Sequence, residues 1–129
     1  MKRIGIVLFP DVEELDAVGP WEVLSSWTQA YPQDGWAVST LSRAGGAVPC
    51  AKGLTVQAHT SYADAPPLDV LVYPGGQGTR PLLRDEVELD WVRRQRAAAP
   101  LLTSAARLAR VERAREVRRH LQYDPAPPV

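Results

Sequence analysis

Two short apolar runs, each stopped by a proline, set the frame of this chain. Residues 3–9 (RIGIVLF) end on Pro10, and Val70-Leu71-Val72-Tyr73 ends on Pro74-Gly75-Gly76-Gln77. Runs this short, rich in β-branched residues and apolar on both faces, are buried strands of a parallel sheet. A parallel pair needs a long crossover, and the intervening sequence supplies one. Residues 13–31 carry Trp21, Leu24, Trp27 and Tyr31 on one helical face, with Pro20 expected in a first turn, where its missing N–H costs nothing. Residues 32–35 close that helix, and residues 36–42 (WAVSTLS) alternate as a second strand.

Further along, residues 43–46 form a turn, and residues 47–50 and 54–58 read as two strands of a hairpin. Residues 61–67 are loop. Asp85 stands three residues before Glu88, which predicts a helix over 86–98. Residues 100–103 read as one more buried strand. From 105 to 123 Leu108, Val111, Ala114, Val117 and Leu121 recur at helical spacing, and Asp124-Pro125-Ala126-Pro127-Pro128 cannot continue a helix. Alternating strands and helices predict an α/β layered fold with a mainly parallel sheet.

Composition narrows the function classes. With 45% hydrophobic and 23% charged residues, the 129-residue chain has the balance of one ordinary globular domain. No apolar stretch is long enough to cross a bilayer, and the N-terminus enters a strand without a signal-peptide pattern, so no membrane association and cytoplasmic residence are expected. Cys50 is the single cysteine and His59 and His120 the two histidines, so neither an internal disulfide nor a metal site is expected. Residues 1–104 hold nine basic and twelve acidic side chains, and residues 105–129 six and three. The arginine-rich end reads as a solvated helix face, and nucleic acid is not expected as a partner.

The Pro74-Gly75-Gly76 turn carries the most chemistry. A strand that stops on bare glycines leaves backbone N–H groups uncovered, and such groups can hold a developing oxyanion. Together with Ile4-Gly5-Ile6-Val7-Leu8-Phe9-Pro10, Glu13-Glu14-Leu15-Asp16, Gly19-Pro20-Trp21-Glu22-Val23-Leu24 and Leu101-Leu102-Thr103-Ser104, it resembles the ThiJ/PfpI superfamily, whose fold is that of class I glutamine amidotransferases. The likeness runs over residues 1–104 and is strongest to the isonitrile hydratase branch.

That resemblance implies a truncated doubly wound, flavodoxin-like sheet with a small β-hairpin, four parallel-type strands and three helices. It implies hydration of an isonitrile to an N-substituted formamide, by a cysteine at a strand-to-helix elbow and an acid from the first loop, without a cofactor. Asp16 takes the acid's place, as a vestigial catalytic acid, and the Gly76 amide that of the oxyanion donor. Gly75 and Trp21 line the expected binding site.

The family's cysteine would fall at position 106, where this chain has Ala106. Residues 105–129 resemble the C-terminal helix and tail of family members, as if an internal segment were deleted after Ser104. A natural frameshift, a gene-model error and a deliberate truncation would all give this junction. The expectation is therefore an inactive or impaired hydratase-like protein. The alternative is a non-enzymatic module for a small-molecule ligand, as in the sensor domain of AraC-like transcription regulators. Incomplete cover of the sheet predicts a homo-oligomer, a dimer by resemblance. Cys50, placed in the hairpin beside Pro49, is expected to be a structural thiol.

Overall fold

The structure, a computed structural model, describes residues 1–98. The strand expected at 100–103, the helix at 105–123, the tail from 124 and position 106 lie outside the described residues.

Strand β1 (Lys2–Val7) is the centre of the sheet. It pairs in parallel with β2 (Trp36–Ser42) over its whole length, from Lys2 opposite Trp36 to Val7 opposite Leu41. On its other edge it pairs in parallel with β6 (Val70–Val72), Ile4 opposite Val70 and Ile6 opposite Val72. A two-residue strand, β5 (Thr60–Ser61), adds to β2 in parallel at Leu41 and Ser42. The order is β5-β2-β1-β6, an all-parallel sheet with the connections that the doubly wound fold requires. Strands β3 (Gly46–Pro49) and β4 (Thr55–Ala58) form the separate antiparallel hairpin.

The two faces of β1 make two cores. Ile4 and Ile6 join Val70 beneath Leu24 and Trp27 of helix α1 (Glu14–Ala30). Val7, with Leu8 and Phe9 just beyond the strand, packs with Leu41, Leu68, Leu71 and Trp91. Trp91 belongs to α3 (Glu86–Ala98), so this sheet has helices on both faces. The face predicted for α1 is the one it buries, with Trp21 and Tyr31 packed at the margin of that core.

Three local expectations need correction. Pro20 lies inside α1, in its second turn, and not in a first turn. Ser61 leaves the predicted loop and joins Thr60, which no predicted element included, to form β5, because the amides around them meet β2: His59 N donates to Thr40 O at 3.1 Å and Tyr62 N to Ser42 O at 2.9 Å. A four-residue helix, α2 (Thr79–Leu82), follows the Pro-Gly-Gly turn where none was predicted. The start of α3 falls where the cap signal put it. Asp85 Oδ1 accepts the amides of Val87 at 3.1 Å and Glu88 at 3.3 Å.

Candidate functional site

In an open parallel sheet, ligands meet the carboxyl ends of strands where the connection reverses direction. Here that point lies beside β1, with β2 on one edge and β6 on the other. The loop leaving β1 (residues 8–13) and the loop leaving β6 (residues 73–78) meet there. Glu13 N donates to Gly75 O at 3.1 Å, and Gly78 N to Asp11 O at 3.2 Å. Asp11 has φ 64°, a left-handed conformation that aspartate tolerates better than most residues. Its own amide is held by Pro49 O at 2.9 Å, which ties the hairpin to the same junction.

Asp16 sits in the first turn of α1, where the free amides and dipole of a helix N-terminus favour a negative charge. Its carboxylate reaches over the Pro-Gly-Gly turn: a Cβ added to Gly75 would lie 3.0 Å from Asp16 Oδ2. Gly76 has φ 136°, and a Cβ there would come within 2.5 Å of Glu13 N. Both the backbone angle and the close approach of the first loop thus demand glycine. Among the described residues, neither the Gly75 nor the Gly76 amide has an acceptor, while the Gly76 carbonyl is taken by Thr79 N at 3.1 Å and Thr79 Oγ1 at 2.7 Å. The arrangement is a carboxylate close to Gly75, in a turn whose Gly75 and Gly76 amides have no acceptor among the described residues.

The hairpin supplies a cation nearby. Lys52 Nζ bonds to Glu13 Oε1, and this bond raises the lysine above its ordinary value, against burial and with help from the charges of Glu14 and Asp16. Burial works to raise Glu14, yet the amides it accepts outweigh that and hold it below the usual carboxylate range. Those from the hairpin are Lys52 N at 2.9 Å and Leu54 N at 3.4 Å. Cys50 is buried, and its Sγ donates to Val48 O at 3.7 Å. Burial first, then the Glu14 charge, pushes the thiol up, the opposite of what activates a nucleophile.

Trp21 lies elsewhere. It lines a cavity of about 250 Å³ with Ala17, Thr40, Val56 and His59, and none of Asp16, Gly75 and Gly76 faces that space. Its ring lies 5.1 Å from the His59 ring. Thr40 N donates to His59 Nδ1 at 3.0 Å, so Nδ1 is the unprotonated nitrogen of the neutral ring and Nε2 carries the proton. Sequence reasoning brought Trp21 forward but passed over His59, since a lone histidine beside a threonine gives no pattern.

A second group escaped it too. Glu88 is buried, its side chain 3% exposed, at a cleft of about 350 Å³. Glu88 Oε1 accepts the hydroxyls of Tyr62 at 2.6 Å and Tyr73 at 2.8 Å, and Oε2 accepts Arg43 Nη2 at 3.0 Å. Burial, then the bond to Glu88 and its charge, raises both phenols far above the ordinary tyrosine value.

The DJ-1/PfpI family model matches residues 2–106. The chain belongs to the DJ-1/PfpI family. It is 38% identical over 102 residues to the isonitrile hydratase of Pseudomonas putida, a match covering 79% of this chain and 42% of that protein. The chain thus spans less than half the length of that curated relative. A ThiJ/PfpI family protein from Pseudomonas syringae has a similar structure, with TM-score 0.69 and 25% identity over 80% of this chain and 41% of that one. A cysteine-to-alanine mutant of a DJ-1 superfamily protein from Salmonella typhimurium gives TM-score 0.63 and 26% identity, covering 76% and 51%. DJ-1 of Toxoplasma gondii, at 12% identity and TM-score 0.64, covers 97% of this chain and 100% of its own and shares the fold alone. Among the described residues no helix is long and apolar enough to cross a membrane.

Proposed function

We propose that this DJ-1/PfpI chain retains the acid-and-amide half of an isonitrile-hydrating site and, with alanine at 106, holds a small polar ligand there without turning it over. The observation that carries the reading is the Asp16 carboxylate lying over Gly75, beside amides that have no acceptor among the described residues. Identity to an isonitrile hydratase supplies the chemistry. In a complete site, a thiolate adds to the terminal isonitrile carbon while an acid gives the proton that carbon needs. Water then displaces the sulfur, and R–NC plus H2O becomes R–NH–CHO. Asp16 would hold and return the proton, and the Gly76 amide would receive the oxyanion formed as water adds. Without the thiol the first bond cannot form.

An alkyl isonitrile such as tert-butyl isonitrile, incubated with purified chain and followed by proton NMR, tests this. The expected result is no formamide from the chain as it stands and detectable formamide from Ala106→Cys, abolished again by Asp16→Ala. Formamide from the unsubstituted chain, lost on Asp16→Ala, would refute the reading.

A second reading, a ligand-binding module without catalysis, is favoured by the Trp21–His59 cavity, which has an aromatic wall and an imidazole N–H donor. A thermal-shift screen in which Trp21→Ala abolishes every ligand response would move the binding function there. Leu15, Val18 and Val23 are exposed on α1 and support self-association into a dimer; sedimentation as a compact monomer would contradict it.

A further inference from the structure

We infer that Glu88 is a positioning residue for the Pro74-Gly75-Gly76 turn, acting through the Tyr73 hydroxyl. The inference rests on the proposed role of the glycine amides and names what holds them in place. Strand β6 is three residues long, and its ladder with β1 ends at Val72. Tyr73 is the first residue beyond it. From there to Gly76, among the described residues, the backbone is tied to the first loop by one bond, Glu13 N to Gly75 O at 3.1 Å. A turn hung on so short a strand needs a second anchor.

Tyr73 provides it at both ends of its side chain. The ring stacks on Phe9, centroids 5.4 Å apart and planes 20° apart, which braces the turn against the loop leaving β1. The hydroxyl donates to Glu88 Oε1 at 2.8 Å. Glu88 is itself fixed from three sides. Tyr62 shares the same oxygen at 2.6 Å, Arg43 holds the other at 3.0 Å, and Asp85 holds Arg43 at 2.8 Å. Asp85 also caps the first turn of α3, accepting Glu88 N at 3.3 Å, so the helix start and the carboxylate are placed by one residue.

The choice of a carboxylate supports a positioning role. Glutamine has one accepting oxygen and a donating nitrogen, so it would aim N–H groups at either the phenols or the guanidinium. A carboxylate accepts all three donors. If α3 needed only to pack, a leucine at 88 would serve as well or better, since a buried charge is weak evidence for stability. Trp91, stacked on Tyr62 at 3.7 Å, already seals the helix to the sheet.

The test uses the whole 15N-labelled chain, backbone relaxation by NMR, and formate as the anion probe. In Tyr73→Phe the stack on Phe9 is kept and the bond to Glu88 is lost. Order parameters at Gly75 and Gly76 are expected to fall from about 0.85 to about 0.6 or below. Formate binding, read from the shifts of those two amides, is expected to weaken about tenfold, the worth of one strong hydrogen bond. Tyr62→Phe removes a bond from the same oxygen on the side away from the turn and is expected to leave both glycines unchanged. Glu88→Leu, which removes the acceptor altogether, should reproduce Tyr73→Phe; if it does not fold, the tyrosine pair still decides.

Equal loosening in the two tyrosine variants would reduce Glu88 to general packing and overturn the inference, as would rigid glycines in Tyr73→Phe. Formate without effect on Gly75 and Gly76 in the unsubstituted chain would instead sink the anion-site reading, leaving the order parameters to judge the positioning claim.

Discussion

Asp16 beside Gly75 of the Pro-Gly-Gly turn and the knot of side chains around Glu88 are joined by Tyr73, yet they are made in opposite ways. The first is exposed at Asp16 and Gly75 and is built from a helix start and a backbone turn. The second has a buried carboxylate, Glu88, at its centre, with Arg43, Tyr62, Tyr73 and Asp85 drawn in from elsewhere along the chain. An exposed carboxylate remains solvated, so its presence costs the fold little and its charge is free for a ligand. A buried one must be satisfied by its surroundings, and every partner then depends on it. A residue kept for chemistry and a residue kept for geometry should therefore respond very differently to substitution.

The largest expected effect is at the knot. Glu88→Ala leaves two partly buried phenols without their acceptor, at up to about 1–3 kcal/mol each, while the Arg43 guanidinium, 45% exposed, keeps its bond to Asp85 at 2.8 Å. We expect a loss of about 3 kcal/mol or more in urea unfolding, read from the midpoint at unchanged slope. A loss below about 1 kcal/mol would show that the buried carboxylate is replaceable and would erase the contrast.

Gly76→Ala comes next. It forces a Cβ to within 2.5 Å of Glu13 N at φ 136°, so either the turn or the first loop must move. Strain of this kind costs about 1–3 kcal/mol, and the same unfolding measurement should place this variant between Glu88→Ala and any change at Asp16. An unperturbed Gly76→Ala protein would mean that the two loops are not locked together as described.

A smaller effect follows from pH. Tyr62 and Tyr73 have folded values raised above the unfolded one, first by burial and then by Glu88. A group raised in this way contributes stability that is fully present below its unfolded value, about 10 for tyrosine, and lost as pH rises toward the folded one. Stability should therefore decline above about pH 10, and the double variant Tyr62→Phe with Tyr73→Phe should flatten that decline. An identical alkaline slope in the double variant would place its cause elsewhere.

How far the sequence revealed these regions follows from what builds them. Buried strands announce themselves by unbroken apolar runs, which is why β1 and β6 were legible. The end of β2 and the start of α3 fell where the turn at 43–46 and the cap at Asp85 put them. The Pro-Gly-Gly turn was legible because glycine is the one residue whose absence of a side chain is itself a signal. By contrast, α2 has four residues and no periodicity to show, and β5 exists only because the edge of β2 offers it partners. Glu88 was passed over for a related reason. Local rules used it only as the acid three residues after Asp85, whereas three donors 15, 26 and 45 residues away draw it inward. No window along the chain contains that information.

The smallest effect is predicted at Asp16, and it is the one that separates function from fold. Among the described residues its carboxylate accepts no hydrogen bond, and its backbone amide bonds to Glu13 O at 3.1 Å whatever the side chain. Its structural worth is its charge, set at the start of α1 and within reach of the Lys52 ammonium, about 0.3–1 kcal/mol at most for an exposed site and less with salt. Asp16→Ala should thus change stability by about 0.5 kcal/mol or less at moderate ionic strength. The same substitution should abolish formamide production in the Ala106→Cys background. A loss of stability well above the dipole contribution would make Asp16 a helix-start device first. Removal without any cost to that activity would take the acid out of the site altogether and leave the bare amides of Gly75 and Gly76 as the whole of its polar chemistry.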